Sequence, residues 1–513
     1  MMELSAGEIR GHRLRAHHLD KRLPQGSLEE AAGACGFQNS PPGAWETAAW
    51  ARVEGCTREG LERALYEEKS LLQAWSFRGA PVVFPAARSG VFLTPLAARE
   101  GEEPWIYTQG IGLALDYLGM EFSQLLPLVA GAAGCLDGRT VKSKEALDQL
   151  LAGEAEKGLP PEKLPLWRAP SMYGRPDRQT VGGAVVSFLL RPCAFRSLVV
   201  FGRREGNTPT FTSFRSWTGR EPGEAPGGDR ELVRRFLHCY GPAAPALLGE
   251  WLGCSPRQAA RLWAAAEEEM VPVRAGGKVR YLLAEDLAGV KGGEPEERLL
   301  LLGPHDPYLD LRDREIILED PARRRRVWQT VSNPGVVLRG GRAAGVWTGK
   351  VKGGRLEFSA DLWEPFSPKE LRALEELGRN MPPSAALLFL LQKRKSKQKE
   401  NDRSRRRAVL VKDGCTHGPS RNPTESLLQK RKSKQKENGR SRRWSSCPAK
   451  ADTPHRPSWN RTESLLQKRK VSKKEMEAAV PVKEGGRNEP ESQKNLVPAC
   501  QRRGDGPGIH HPP

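Results

Sequence analysis

The sequence predicts an α+β fold class, with several folded domains followed by a disordered basic tail. A chain of 513 residues exceeds what one hydrophobic core supports, so more than one domain is expected. Segments with helical apolar spacing are repeatedly followed by short β-like segments over the first 290 or so residues, and residues 298–380 contain short strand-like runs broken by glycine pairs. Together these patterns predict tandem winged-helix domains plus a small C-terminal antiparallel sheet or β-barrel.

The first winged-helix domain is assigned to residues 1–95. Thr57 is a suitable N-cap for a helix whose apolar side chains recur at Leu61, Leu65, Leu72 and Trp75. The following FRGAPVVFP contains Gly and Pro, which end a helix, and then an apolar run typical of a short strand. Helices followed by a β element are the order expected of a helix-turn-helix unit with a wing.

The second winged-helix domain, residues 96–225, repeats this plan. A helix is predicted in TVKSKEALDQLLAGEAEKG, and the apolar, β-branched runs VGGAVVSFLL and FRSLVVFG are predicted as β structure.

The third winged-helix domain, residues 226–292, has the clearest pattern. ELVRRFLHCYG and PALLGEWLG predict two short helices, and SPRQAARLWAAAEEEM predicts a third with Ser255 as N-cap and Pro256 at the first helical position. VPVRAGGKVRYLL then alternates apolar and polar residues around a Gly276-Gly277 turn, which is typical of a β-hairpin.

Five basic residues of this third domain are predicted to bind DNA. The third helix of a winged-helix unit commonly enters the major groove, and its hairpin reaches nearby phosphates. The predicted residues are Arg257 and Arg261 on the helix and Arg274, Lys278 and Arg280 on the hairpin.

Residues 293–385 form the predicted β-barrel domain, and residues 386–513 the disordered, repeat-containing tail. Similar LLQKRK segments begin at Leu390, Leu427 and Leu465. From Leu391 to the end there are 32 Lys and Arg against 13 Asp and Glu, an excess of 19 that accounts for nearly all of the net charge of +20. Few large apolar residues accompany these charges, so the tail lacks the burial needed to offset its ordering entropy.

The composition excludes several other classes of protein. The nine cysteines are scattered and none has C-x-x-C spacing, and neither His17-His18 nor His510-His511 has a ligand set nearby in sequence, so we predict no metal and no cofactor. Free thiols and the absence of a leader-like N-terminus predict a cytoplasmic protein. The longest apolar stretch, around LALDYLGMEFSQLLPLVAGAAG, is interrupted by two carboxylates, so no membrane span is expected.

Five segments of the chain form a recognisable series when taken in order. They are GFQNSPPGAWETAAWAR, LERALYEEKSLLQAWSFRGAPVVFP, FLHCYGPAAPALLGEWLG, LLLGPHDPYLDLRDR and GVVLRGGRAAGVWTGK. Together they resemble the winged-helix DNA glycosylases of the AlkZ and YcaQ type. The resemblance spans roughly residues 8–380. It implies three tandem winged-helix units around double-stranded DNA, a C-terminal β-barrel, and hydrolysis of the N-glycosidic bond of alkylated or crosslinked bases.

The same resemblance implies a catalytic role for Gln38 and, in the next family position, Ser40. The family has an amide pair, or an amide with a carboxylate, that orients a water, and a glutamine both donates and accepts hydrogen bonds. Gln38 matches the first position, whereas Ser40 stands where the family has the second amide or carboxylate. A role for Gln38 as a turn residue, and for Ser40 as a cap before Pro41-Pro42, stays open at this point.

The leading hypothesis is a monomeric, monofunctional DNA N-glycosylase. The alternative is a non-catalytic winged-helix DNA-binding protein, either a transcriptional regulator or a damage sensor. A regulator is expected to dimerise on a palindromic site, and no heptad pattern favours dimerisation. Asp306 and Tyr308 contact DNA in one interpretation and order the chain entering the barrel in the other.

Overall fold

The computed structural model describes residues 1–102, 109–173, 178–223, 225–291, 293, 295–329, 332–352, 355–381 and 407–412. The helices are α1 Ala6–Ala16, α2 Leu28–Cys35, α3 Ala44–Arg52, α4 Arg58–Glu62, α5 Ser89–Leu93, α6 Gly112–Leu118, α7 Phe122–Ala132, α8 Lys144–Ala155, α9 Leu164–Arg168, α10 Val181–Phe195, α11 Phe214–Thr218, α12 Gly228–Tyr240, α13 Pro245–Leu252, α14 Pro256–Ala264, α15 Leu287–Val290, α16 Pro321–Val327 and α17 Pro368–Asn380.

Within the described residues the strands form four sheets, three of them with three strands. Their bounds are β1 Met2–Leu4, β2 Phe37–Gln38, β3 Leu71–Trp75, β4 Pro81–Pro85, β5 Val141–Lys142, β6 Val200–Phe201, β7 Thr210–Thr212, β8 Met270–Ala275, β9 Lys278–Leu283, β10 Leu299–Leu302, β11 Gly335–Arg339, β12 Arg342–Lys352, β13 Arg355–Leu362 and β14 Arg407–Lys412. The strand orders are β2-β4-β3, β5-β7-β6, β1-β8-β9 and β10-β11-β12-β13-β14. The mixed helix and sheet class predicted from the sequence is confirmed.

The helices and hairpin of residues 226–292 appear in the predicted order. Helices α12, α13 and α14 precede the antiparallel pair β8 and β9. The Ser255 hydroxyl accepts a hydrogen bond from the backbone N–H of Gln258 at 3.2 Å, so the predicted N-cap of α14 is formed. The N-terminal strand β1 adds to this hairpin in parallel with β8, a pairing that no local pattern could indicate.

The helix predicted over Leu61–Trp75 is wrong beyond its first turns. Thr57 does cap α4, but one π-helical turn over Arg63–Glu67 follows, and Lys69 at a φ of +54° ends the helical path. Leu71–Trp75 is then the strand β3, in which all five residues are buried. A strand buried on both faces lacks the alternation of buried and exposed residues that identifies a strand in a sequence, which is why the apolar spacing was misleading.

The β structure predicted for VGGAVVSFLL is also wrong, because this segment lies within helix α10. The Thr180 hydroxyl caps the helix by accepting from the N–H of Gly183 at 3.0 Å. Gly182 packs directly against Trp167, and a Cβ there would lie 2.2 Å from the indole. Tertiary burial of nearly the whole helix surface overrides the β preference of its three valines.

The C-terminal sheet does not close into a barrel in the described part of the chain. Strands β10 to β14 pair antiparallel in sequence order, and no pairing joins the first strand to the last. Nearly all of the predicted disordered tail lies outside the described residues. Within it, residues 407–412 are the strand β14, which pairs with β13.

Two buried ion pairs tie the N-terminal helices to the segment after β10. Arg13 pairs with Asp313 at 2.6 Å, and Arg52 pairs with Asp306 at 2.8 Å with both side chains at most 1% exposed. Asp306 also accepts from the N–H of Tyr308 at 3.0 Å, and the Tyr308 hydroxyl donates to the carbonyl of Gly341. Asp306 and Tyr308 therefore order the chain between β10 and β11.

Among the residues that the structure describes, no helix has both the length and the apolar character needed to cross a membrane.

Candidate active site

Gln38 ends β2, which forms one edge of the β2-β4-β3 sheet. Its backbone pairs with Val82 of β4. Side chains alternate along this strand and its extension: Phe37 and Asn39 are buried, Gln38 is half-buried and Ser40 is exposed. Gln38 and Ser40 therefore face the more open side of the strand, as two residues with one between them should.

Asn39 shows why the intervening residue points inward. Its side-chain nitrogen donates to Gln73 of β3 at 2.9 Å, and its side-chain oxygen accepts from the N–H of Gly43 at 2.6 Å. These bonds fix the turn between β2 and α3. The orientation of Gln38 and Ser40 follows from this buried anchor.

Both ends of the Gln38 amide are hydrogen-bonded. Nε2 donates to the backbone carbonyl of Ser40 at 3.1 Å, and Oε1 accepts from the guanidinium of Arg78, also at 3.1 Å. Because a guanidinium only donates, the amide oxygen must face Arg78. One N–H and one lone pair of the amide remain for another molecule.

Arg78 connects three parts of the chain. It donates to Gln38, to the Asp310 carboxylate at 2.9 Å and to the backbone carbonyl of Trp251 at the end of α13 at 2.7 Å. Its φ of +54° lies in the left-handed region, which costs a residue with a side chain on the order of 1 kcal/mol or more. Such strain is held by surrounding contacts and concentrates at functional sites.

Asp310 brings a carboxylate next to Gln38 through Arg78. Its side chain is 14% exposed, and burial raises its pKa, while the positive charge of Arg78 and its hydrogen bond oppose that rise. His305, five residues earlier, also has a left-handed φ of +59°. Burial, followed by the charge of Arg78, lowers the pKa of His305, which favours a neutral imidazole beside the pair.

The two predicted DNA-binding residues of α14 differ in their surroundings. Arg257 is exposed and donates to the carbonyl of Gly101 at 3.3 Å. Arg261 pairs with Glu102 at 2.6 Å and with Asp229 at 2.5 Å, and its side chain is 18% exposed. These ion pairs give Arg261 a role in packing α14, and its contact with DNA stays a prediction.

The predicted hairpin residues lie more openly. Arg274 and Lys278 are exposed and Arg280 is half-buried. Arg274 approaches the carboxylate of Glu3 on β1 at 3.7 Å, a distance at which an exposed pair contributes little. The exposed side chains of Arg274 and Lys278 are accessible to phosphates, and a role in DNA binding stays a prediction for all three residues.

The sequence interpretation missed Arg78 and Asp310. Arg78 precedes Gly79 inside the second of the five matching segments, and Asp310 lies in the fourth. Their position in those segments was the available signal. Nothing in the chain order shows that residues 38, 78 and 310 meet.

The sequence interpretation also missed a cluster formed by His17, Cys35 and Cys239. One side-chain ligand atom from each of these residues lies within 4.8 Å of the others. All three residues are buried. Sequence motifs identify metal ligands that are close together in the chain, whereas Cys239 is about two hundred residues from His17 and Cys35.

Comparison with known proteins gives three consistent matches. The family described as DNA glycosylase AlkZ-like matches residues 31–381, more than half of the chain. An interstrand DNA cross-link repair glycosylase from Streptomyces sahachiroi is 25% identical over 357 residues, which cover 67% of this chain and 88% of that protein. The solved structure of Streptomyces sahachiroi DNA glycosylase AlkZ matches with a TM-score of 0.59 and 22% identity, covering 75% of this chain and 97% of that one. At this identity the structural match shows a shared fold.

Proposed function

The chain belongs to the AlkZ-like DNA glycosylase family, and from that premise we propose that it is a DNA-repair glycosylase acting on double-stranded DNA. The proposed reaction is hydrolysis of the N-glycosidic bond that joins a damaged base to its sugar. The observation that carries the proposal is the Gln38 amide, fixed at a partly open strand end by Arg78, which is itself paired with Asp310.

The proposed DNA-binding architecture is three winged-helix units. Support comes from the three small sheets, β2-β4-β3, β5-β7-β6 and β1-β8-β9. Each contains a pair of strands, β3 and β4, β6 and β7 or β8 and β9, that follows helices in the chain. A hairpin such as β8-β9 would lie against the phosphate backbone, with Arg274 and Lys278 as its exposed cations.

Hydrolysis of the N-glycosidic bond requires few catalytic groups when the damaged base is an N7-alkylated purine. Such a base is cationic and leaves without being protonated, so the protein must place a water and stabilise positive charge on the sugar. The Gln38 amide retains one donor and one acceptor position after its bonds to Ser40 and Arg78. That is sufficient to orient a water without introducing a charge.

Asp310 is proposed to supply the negative charge. Its carboxylate shares Arg78 with Gln38, so the fold delivers a second polar group although Ser40 replaces the family's second amide. A carboxylate near the anomeric carbon stabilises an oxocarbenium-like sugar and accepts a proton from the attacking water. Ser40, exposed on the same side of the strand, is proposed as a further hydrogen-bond partner for that water.

Crosslinked bases are proposed as a substrate class because the curated relative is an interstrand DNA cross-link repair glycosylase. The position of Gln38 at a strand edge, followed by an exposed Ser40, suits a lesion that cannot be enclosed. Base flipping into a closed pocket is not required for such a lesion.

A non-catalytic DNA-binding protein remains the second candidate, because both ends of the Gln38 amide are already bonded within the protein. The test is to incubate the full chain with duplex DNA containing N7-methylguanine or an interstrand crosslink, and to measure free base, strand unhooking and binding together. The proposal predicts base release or unhooking from at least one DNA. Tight binding of both damaged DNAs, with neither base release nor unhooking, would support the non-catalytic DNA-binding protein instead.

A further inference from the structure

His17, Cys35 and Cys239 form a buried cluster of one imidazole and two thiols, and Cys35 immediately precedes the segment that carries β2 and Gln38. Their exposures are 1%, 4% and 0%. The distance from the Cys35 sulfur to Nδ1 of His17 is 3.6 Å, and one ligand atom from each of the three residues falls within 4.8 Å of the others. His17 follows α1 as its C-cap, Cys35 ends α2, and Cys239 lies in the last turn of α12.

These distances are close to those between ligands that share one metal ion. With metal–sulfur bonds of about 2.3 Å and metal–nitrogen bonds of about 2.0 Å, neighbouring ligand atoms lie roughly 3.5–3.8 Å apart. The distance between Cys35 and His17 is within that range, and all three ligand atoms lie within 4.8 Å of one another, so coordination requires them to approach by about 1 Å at most. Two thiolates and one imidazole are the ligand set that Zn²⁺ and Cu⁺ prefer.

The imidazole of His17 lacks a full set of polar partners. Its Nε2 is buried and has no hydrogen-bond partner among the described residues. The rings of Tyr240 and Tyr308 lie edge-on to it, with centroids at 5.0 Å and 5.7 Å. Burial of a polar ring with an unpaired nitrogen is unfavourable. A metal ion bound through Nδ1, the nitrogen that faces the Cys35 sulfur, would give the imidazole a strong polar interaction, although it would not itself pair with Nε2.

A divalent ion is compatible with the charge balance of this buried cluster. The buried arginines Arg13 and Arg52 are already paired with Asp313 and Asp306. Two thiolates and one Zn²⁺ ion together carry no net charge, which avoids an unpaired buried charge at this position.

We propose that His17, Cys35 and Cys239 bind one soft d¹⁰ metal ion, Zn²⁺ or Cu⁺, that fastens α1, α2 and α12 together. Cys35 is three residues before Gln38, and Gly36 between them packs closely against β4, since a Cβ there would lie 2.6 Å from the Val82 side chain. The ion therefore has a structural role in holding the strand that carries Gln38. It takes no part in the proposed hydrolysis.

The test is metal analysis of the full chain after incubation with Zn²⁺ or with Cu⁺ under reducing conditions, followed by dialysis. Cys35→Ser and Cys239→Ser remove a ligand, and Cys254→Ser is the matched control, because Cys254 is a free cysteine with 1% exposure outside the cluster. We expect about one ion per chain in the wild type and in Cys254→Ser, and its loss in the two cluster variants. The ion retained identifies zinc or copper.

Equal metal content in the wild type and in Cys35→Ser would overturn the proposal, because the ion would then lie elsewhere. So would an absence of bound zinc and copper in the wild type. Should the cluster variants fail to fold, Co²⁺ added to the wild type provides a second measurement. Thiolate-to-cobalt charge-transfer absorption supports the site, and its absence together with an absence of retained copper refutes it.

Discussion

Replacing Asp310 by Asn tests the role of the carboxylate in the proposed site. The asparagine keeps the shape of the side chain and an oxygen that accepts from Arg78, so the change mainly removes a negative charge. Asp310 lies 2.9 Å from Arg78, with side-chain exposures of 14% and 25%, so water screens the pair only in part. We expect Asp310→Asn to fold and bind DNA but to release base slowly.

The magnitudes follow from the two roles of the carboxylate. Loss of a partly buried, charge-assisted hydrogen bond lowers the free energy of unfolding by about 1–3 kcal/mol. Loss of a positioned proton acceptor slows the chemical step by about 10²–10⁴-fold, which corresponds to roughly 3–5 kcal/mol of transition-state stabilisation. The rate effect should therefore exceed the effect on stability.

The assay is single-turnover release of N7-methylguanine from duplex DNA, with thermal unfolding and DNA binding measured on the same proteins. Asp361→Asn is the control, because Asp361 pairs with Arg326 at the surface, where their side chains are 37% and 43% exposed. A rate within about threefold of the wild type for Asp310→Asn would refute the catalytic role of the carboxylate.

The pH dependence gives a second readout for the same residue. Burial raises the pKa of Asp310, and the carboxylate is the active form in the proposed mechanism. The wild-type rate should therefore fall as the pH decreases through this raised pKa. Asp310→Asn should lack that acid limb, and an unchanged profile would contradict the assignment.

Three further predictions concern stability and DNA binding. Arg52→Ala leaves the fully buried carboxylate of Asp306 without its partner, so the free energy of unfolding should fall by about 3–5 kcal/mol in denaturant titrations, and a loss below about 1 kcal/mol would contradict the burial argument. The hydrogen bond to Asp286 and the negative charge of that residue raise the pKa of His238, although burial opposes the rise. The pair therefore stabilises the folded protein below a pH of about 6.5, and this stabilisation is lost as the pH rises through the raised pKa. Asp286→Asn should flatten this dependence in thermal unfolding, and an unchanged curve would exclude the pair as its source. Lys278→Ala should weaken binding to all DNA sequences alike and reduce the slope of log affinity against log salt by about 1, whereas an unchanged slope would remove Lys278 from the phosphate contacts.

The sequence correctly predicted the parts of the fold that are marked by a helix cap or a glycine turn. Ser255 and Pro256 mark the start of α14, and the Gly276-Gly277 turn marks the hairpin that follows it. In both cases the caps and turns depend on residues within a few positions of one another. The predictions failed at Leu71–Trp75 and in α10, where burial on all sides removes the period that distinguishes a strand from a helix.

Sequence reasoning predicted two residues of the proposed site, Gln38 and Ser40, and missed Arg78 and Asp310. Gln38 and Ser40 belong to one short segment, so their common face follows from strand alternation. Arg78 and Asp310 meet Gln38 only through tertiary packing, and Cys239 reaches His17 and Cys35 in the same way. Contacts between positions tens or hundreds of residues apart leave no trace in a single sequence.

Base release by Gln38→Ala tests the central claim most directly. The measurement compares wild type, Gln38→Ala and Gln25→Ala, an exposed glutamine serving as control, on N7-methylguanine duplex DNA, with binding followed in parallel. The account predicts that Gln38→Ala binds the DNA as the wild type does but loses base release at least a hundredfold, while Gln25→Ala retains it. Release by Gln38→Ala at the wild-type rate would show that the fixed amide is not part of the catalytic site.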